Sequence, residues 1–215
     1  MPPFSRLYSS IINLFFKLLY HQFAWGYDWV AAAVSLGEWN SWTHAALPYL
    51  HGPRVLELGF GPGHLQVSLQ KREIWTVGID ESWQMASQAI CRLKQLNLNP
   101  RLINGYAQFL PFSSLSFEQV VATFPTRFIF NPITLTEIQR VLAPGGTLVT
   151  LPIAWITGRG FLHRMAAGLF HLTGQSPDLD DNLTLPFIQA GFLIRLEQIQ
   201  LKSSKILFII AQKPR

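Results

Sequence analysis

Residues 55–65 read Val-Leu-Glu-Leu-Gly-Phe-Gly-Pro-Gly-His-Leu. Val55 to Leu58 is an apolar, strand-type run broken only by Glu57, and Gly59, Gly61 and Gly63 alternate directly after it. Glycines so placed let the backbone adopt positive φ and let a ligand approach it without meeting side chains. A helical pattern over His64–Lys71 follows. Strand, glycine turn and helix start together bring backbone N–H groups and a helix N-terminus to one point, which is a ligand-binding arrangement.

The residues around the turn restrict that ligand. A dinucleotide fingerprint, G-x-G-x-x-G/A, needs a small residue where His64 stands. The carboxylate of Glu57 would repel a pyrophosphate but would attract an ammonium group. The next strand, Thr-Val-Gly-Ile-Asp, ends at Asp80, about 20 residues on, where an acid accepts hydrogen bonds from ribose hydroxyls. A nucleoside with a cationic, amino-bearing tail and no phosphates fits both acids, and S-adenosylmethionine has that description.

Outward from the turn, strand and helix alternate. Strands are predicted at Val55–Leu58, Ile74–Ile79, Arg101–Asn104, Val120–Phe124 and Thr147–Pro152, with helices at His64–Lys71, Trp83–Leu96 and Ile133–Val141 between them. This order implies right-handed crossovers and a parallel sheet. In the tail, a helical stretch at Phe187–Ala190 precedes strand-like runs at Phe192–Leu201 and Ile206–Gln212. The short link Lys202–Lys205 permits only an antiparallel hairpin. Residues 1–50 are helical in pattern and rich in aromatics, and an amphipathic insertion runs from about 154 to 185. The expected organisation is a helical cap over residues 1–50 and an α/β domain over 51–215 carrying that insertion.

Bulk composition sets outer limits. The chain has 215 residues, 49% hydrophobic and only 13% charged, which excludes a disordered chain and leaves apolar surface to face a partner, a lipid or a greasy substrate. The net charge of +5 is scattered rather than clustered, so nucleic-acid binding is not indicated. Cys91 is the single cysteine, which excludes an internal disulfide and a multi-cysteine metal site and suits a reducing cytoplasm; no metal is expected. Ile11–Tyr20 is too short to span a bilayer. Its amphipathic pattern suits packing on the domain or peripheral contact with a membrane surface.

Four motifs in order resemble those of class I S-adenosylmethionine-dependent methyltransferases: Glu-Leu-Gly-Phe-Gly-Pro-Gly (57–63), Gly-Ile-Asp-Glu-Ser (78–82), Asn-Gly-Tyr-Ala-Gln-Phe-Leu-Pro-Phe (104–112) and Glu-Ile-Gln-Arg-Val-Leu-Ala-Pro-Gly-Gly-Thr-Leu-Val (137–149). Residues 23–42 and 122–132 resemble the ubiquinone/menaquinone C-methyltransferase branch, with Glu38-Trp39-Asn40 replacing that branch's His-Arg element and Tyr106 standing at its adenine-contacting aspartate. The resemblance implies a Rossmann-like seven-stranded sheet, mostly parallel, with an antiparallel C-terminal hairpin and helices on both faces. It implies S-adenosylmethionine as cofactor. Methyl transfer to a small, lipophilic acceptor (a quinone precursor, lipid or other metabolite) is the expected activity; a non-catalytic protein with the same fold and ligand is the alternative.

Cofactor-site candidates are Glu57, Gly59, Phe60, Gly61, Gly63, Asp80, Glu81, Met85, Tyr106, Ala107, Thr123 and Phe124. Glu57 is expected to hold the amino group and Asp80 the ribose. Met85 and Phe109 either pack on adenine or belong to the core, and Ser82 is expected to cap the following helix. His21, Tyr27, His44, Arg127 and His163 are candidates to line the acceptor pocket, and no catalytic base is assigned. Aromatic residues of the N-terminal region, Trp39 and Trp42 among them, form either a lid over the acceptor or a second core layer.

Overall fold

A computed structural model describes Ser35, residues 37–157 and residues 183–215. The elements are α1 (Trp39–His44), β1 (Arg54–Leu58), α2 (His64–Lys71), β2 (Trp75–Asp80), α3 (Trp83–Gln95), β3 (Leu102–Asn104), β4 (Phe117–Thr123), α4 (Pro132–Val141), β5 (Leu142–Ile156), α5 (Leu185–Gln189), β6 (Leu193–Gln200) and β7 (Ser204–Gln212). Short 3₁₀ turns at Leu47–Tyr49 and Arg127–Phe130 complete the order.

The strands form one sheet in the order β3-β2-β1-β4-β5-β7-β6. Pairings among β1 to β5 are parallel, while β7 runs antiparallel to both β5 and β6. Chain order reverses between β1 and β4, and such a switch point opens a crevice outside the carboxyl ends of the strands. Glu57 and Asp80 both lie at those ends.

Each face of the sheet has its own core, as a parallel sheet buried on both sides requires. One gathers Leu56, Leu58, Val120, Ala122, Leu135, Ile138 and Phe187 beneath α4 and α5. The other gathers Val55, Leu65, Leu69, Val121, Val149 and Phe208 together with Trp42 and Ala46 of the N-terminal segment. Trp42 is fully buried, and its indole N–H donates to Ser204 Oγ at 2.7 Å. Ser203 Oγ donates to Glu38 Oε1 at 2.6 Å. The Tyr49 hydroxyl donates to Glu197 Oε2, and its own pKa is pushed up to about 12 by burial and by that carboxylate. The segment preceding β1 is thereby fastened to the terminal hairpin.

Element boundaries differ from expectation at several places, including β5, which begins at Leu142 and not at Thr147. β4 begins at Phe117, ahead of the expected Val120, because Phe117 packs into the core and pairs with Leu142. β5 continues past Pro152 to Ile156, since Ala154, Trp155 and Ile156 still pair with Ile206, Lys205 and Ser204. Ser204 and Lys205 therefore belong to β7 rather than to the hairpin link. The amphipathic runs expected at residues 11–20 and within 158–182 lie outside the described residues.

The Trp42–Ser204 bond gives a first test. Replacing Trp42 by Phe leaves a buried hydroxyl unpaired and should cost about 1–3 kcal/mol, read from chemical denaturation. Adding Ser204→Ala should recover part of that loss, because both partners are then removed.

Candidate cofactor and acceptor site

The turn after β1 takes its shape from positive φ at Gly59 (69°), Gly61 (52°) and Gly63 (85°). Gly59 N–H donates to Ile79 O at 2.8 Å, and Gly61 N–H donates to Asp80 Oδ2 at 2.8 Å, so the turn is sewn to the end of β2. A Cβ on Gly63 would come 2.8 Å from Ala89 Cβ of α3. The third glycine thus lets turn and helix pack closely. A Cβ on Gly61 would meet nothing within 4 Å among the described residues, so these leave the space beside this part of the turn open for a ligand. Phe60 points inward, seated on Gly78 and packed with Ala86 and Ala89, so only its backbone faces that space. Arg92 of α3 donates to Pro62 O and braces the turn from outside.

Glu57 is buried, and its Oε2 accepts from Gln66 Nε2 of α2 at 2.7 Å. Gln66 Nε2 also reaches Thr76 Oγ1 at 3.2 Å, while Gln66 Oε1 has no partner among the described residues. Burial pushes the Glu57 carboxyl up to about 8; the Gln66 bond opposes the shift and the Asp80 charge adds to it. A buried carboxyl held near neutrality is stabilised as an anion when a cation arrives beside it. The donor set thus fits the amino group of S-adenosylmethionine.

Asp80 is buried and spends its two carboxylate oxygens on backbone N–H groups, Oδ2 on Gly61 and Oδ1 on Ser82 at 2.8 Å. A carboxylate is the kind of acceptor that a ribose hydroxyl would seek. Ser82 caps α3, its Oγ accepting from Met85 N–H at 3.3 Å. Met85 is wholly buried, as a core residue is, and Glu81 is exposed beside the cap. Beyond β3, Tyr106 and Phe109 are exposed, and Ala107 packs against the core.

Thr123 ends β4, and Phe124 follows with φ of 48°, a left-handed conformation that costs a bulky residue free energy. It is held there by its N–H, which donates to Leu151 O at 2.8 Å, and by its ring, which stacks on Trp39 at 4.3 Å and meets Trp42 at 5.7 Å. Of the two expectations for the N-terminal aromatics, Trp42 follows the core one, while Trp39 is partly exposed and stacked on Phe124.

Arg127 is exposed at the start of the 3₁₀ turn after β4. His44 lies against α2, its Nε2 2.7 Å from Ser68 Oγ, with its pKa lowered by partial burial and by the neighbouring His64 and Arg72. His21, Tyr27 and His163 lie outside the described residues. Gln66 and Arg92 were missed in the sequence reading. Gln66 had a usable signal, a polar residue beside Leu65 on the buried stripe of α2. Arg92, in the last turn of a surface helix, had none.

Comparisons with known proteins agree with this geometry. Residues 55–146 match the methyltransferase-domain family. A demethylmenaquinone methyltransferase of Mycobacterium sp. (strain KMS) is 34% identical over 139 residues, 63% of this chain and 58% of that one. A ubiquinone/menaquinone biosynthesis C-methyltransferase of Blochmanniella floridana is 29% identical over 165 residues, 73% of this chain and 65% of that one. The chain thus spans about three fifths of the length of these curated relatives. Among solved structures, Haemonchus contortus phosphoethanolamine N-methyltransferase 2, in complex with phosphomonomethylethanolamine and S-adenosylhomocysteine, shares the fold. Its TM-score is 0.61 at 18% identity, covering 83% of this chain and 53% of that one. The seven-stranded sheet with its antiparallel terminal hairpin, the glycine turn between Glu57 and α2, and the match over residues 55–146 together make this chain similar to S-adenosylmethionine-dependent methyltransferases.

Proposed function

We propose that this protein transfers a methyl group from S-adenosylmethionine to a small, lipophilic acceptor of the quinone-precursor kind. One observation carries the cofactor half: a buried carboxyl, Glu57, sits beneath an open glycine turn, with a second acid, Asp80, one strand away. When bound, the cofactor supplies a sulfonium-activated methyl group. The chain's own residues do the rest. Glu57 accepts the cationic amino group, the 59–63 backbone lies along the amino-acid portion, and Asp80 accepts from the ribose. Phe124 and Trp39 form a flat apolar wall beside Thr123 that suits an aromatic acceptor. Holding acceptor and methyl group in line supplies much of the acceleration, and no residue is assigned as a base. The quinone assignment draws support from the names of the two curated relatives. The acceptor site would be completed by the cap, residues 1–50 and about 154–185. For the described residues, no helix is long and apolar enough to cross a membrane; peripheral contact through residues 11–20, and a cytoplasmic site of action, belong to the same proposal.

Calorimetric titration with S-adenosylmethionine, followed by turnover of a demethylated quinol, tests the reading; no binding at millimolar cofactor would overturn it. Glu57→Gln preserves shape and removes the charge. Losing a charge-assisted hydrogen bond of about 1.5–3 kcal/mol should weaken cofactor binding roughly 10- to 100-fold.

The raised Glu57 pKa fixes two signs. Its folded value, about 8, lies above the ordinary 4.5. The stability it contributes is therefore fully present below about pH 4.5 and is lost as pH rises towards about 8. A cationic ligand favours the ionised form, so binding below pH 8 should release a proton. Titrations near neutrality in buffers of different ionisation heat should show that release, and Glu57→Gln should abolish it.

Phe124, a cofactor-site candidate by sequence, has its ring stacked on Trp39, so Trp39→Ala should raise the KM for the acceptor with the cofactor Kd within about twofold, and Phe124→Ala should raise the KM for the acceptor at least as much. Steady-state kinetics with each substrate varied in turn would separate the two effects.

A further inference from the structure

The sheet ends on β6, and no strand among the described residues pairs with its outer edge. Native edge strands are ordinarily protected by shortness, charged side chains (lysine above all), proline, a bulge or a covering helix or loop. Of these β6 carries only the opposite charges Arg195 and Glu197, and no described element covers its outer edge. It runs eight residues, Leu-Ile-Arg-Leu-Glu-Gln-Ile-Gln, in unbroken register against β7 from Leu193↔Gln212 to Gln200↔Lys205. Leu196 on this strand, and Leu185 and Ile188 on the adjoining α5, are about half exposed.

The direction of the backbone groups can be read from the ladder. Leu201 N–H donates to Ser204 O at 2.8 Å, so Leu201 is a hydrogen-bonded position facing β7. Antiparallel ladders alternate, so Ile199, Glu197, Arg195 and Leu193 also turn their N–H and C=O groups towards β7. Ile194, Leu196 and Gln198 turn theirs outward.

We propose that this edge is a docking surface for a second copy of the same chain, joined antiparallel about a two-fold axis through Leu196. In that register the outward groups of Ile194 and Gln198 of the two copies bond each other, and Leu196 meets Leu196 of the second copy. Arg195 stands opposite Glu197, and exposed Leu193 stands opposite Ile199. Arg195 Nη1 and Glu197 Oε1 already form a pair 2.7 Å apart within the strand, so the dimer would alternate charges around a closed square. Centring the axis on Arg195 or on Glu197 would set like charges directly opposite, which is destabilising. Leu196 shares the face of Ile194, which packs on the core that holds Phe187 of α5. The exposed leucines of both copies would therefore meet on one side of a continuous sheet. The surface is independent of methyl transfer and lies at the far end of the strand order from Asp80.

Light scattering over a concentration series of the intact protein should give a dimer mass. Gln198→Pro removes an outward N–H without touching the β7 ladder, and by symmetry takes two bonds from the interface; dimer dissociation should rise at least about tenfold with circular dichroism unchanged. Register is tested separately in a Cys91→Ser background. Opposed hydrogen-bonded residues have Cα atoms about 5.5 Å apart, within disulfide reach. Leu196→Cys should therefore cross-link with its own copy on oxidation. Leu193→Cys should cross-link only when Ile199→Cys is also present. A monomer mass at every concentration overturns the proposal. So does a dimer that Gln198→Pro leaves intact and that does not cross-link through position 196.

Discussion

The arrangement depends on a carboxyl group kept out of water. Glu57 sits on a central strand, flanked in register by Gly78 of β2 and Val121 of β4, where an isolated anion would be costly. Its burial is tolerable because Gln66 donates to it and because it can keep its proton. The site is therefore poised. A neutral acid is the comfortable state of the chain alone, and a cation placed beside it would favour the charged state. Glycine at 61 leaves the approach open, and glycine at 63 allows α3 to close against the turn from the other side.

Asp80 serves two masters. Its oxygens fix the glycine turn and the start of α3 through Gly61 and Ser82. Under the proposed placement of the cofactor, one side chain would couple the two halves of its pocket. A comparable coupling operates at β4. Phe124 adopts a left-handed conformation that its side chain disfavours, and the stack with Trp39 and Trp42 offsets that cost. Trp42 is in turn bonded to Ser204 at the terminal hairpin. The Phe124–Trp39 stack, the N-terminal helix and the last strand pair thus form one mechanical unit.

Much of this was legible in the sequence, and the reasons are local. Helix α2 is found where His64–Lys71 predicted it, because the glycine turn ends at one residue and the apolar spacing begins at the next. The parallel sheet and the antiparallel hairpin follow from alternating elements and from a link too short for a crossover. The extent of β5 was not legible. Pro152 reads as a stop, yet it falls where the register with β7 shifts between Thr150 and Ile153, and pairing resumes beyond it. Phe60 stands between two turn glycines and so reads as a contact residue; the turn directs its ring inward onto Gly78, which leaves its backbone for any such contact. Gln66 was overlooked because a polar residue on a helix is ordinarily assigned to solvent. Its role requires knowing that α2 crosses directly over Glu57, which is tertiary information.

Composition and topology meet at the last strand. A chain with 13% charged residues has few charges with which to blunt an exposed edge. The two it places in the middle of β6, Arg195 and Glu197, are opposite in sign and two residues apart on one face. A pair of like charges there would repel a second copy in any symmetric register, and a lysine in place of Leu196 would put charge on the axis itself. Opposite charges flanking an exposed leucine do the reverse, since the two-fold that brings leucine to leucine also brings each cation to an anion. Were solubility the only demand on this edge, two like charges would have met it with the same number of ionised residues.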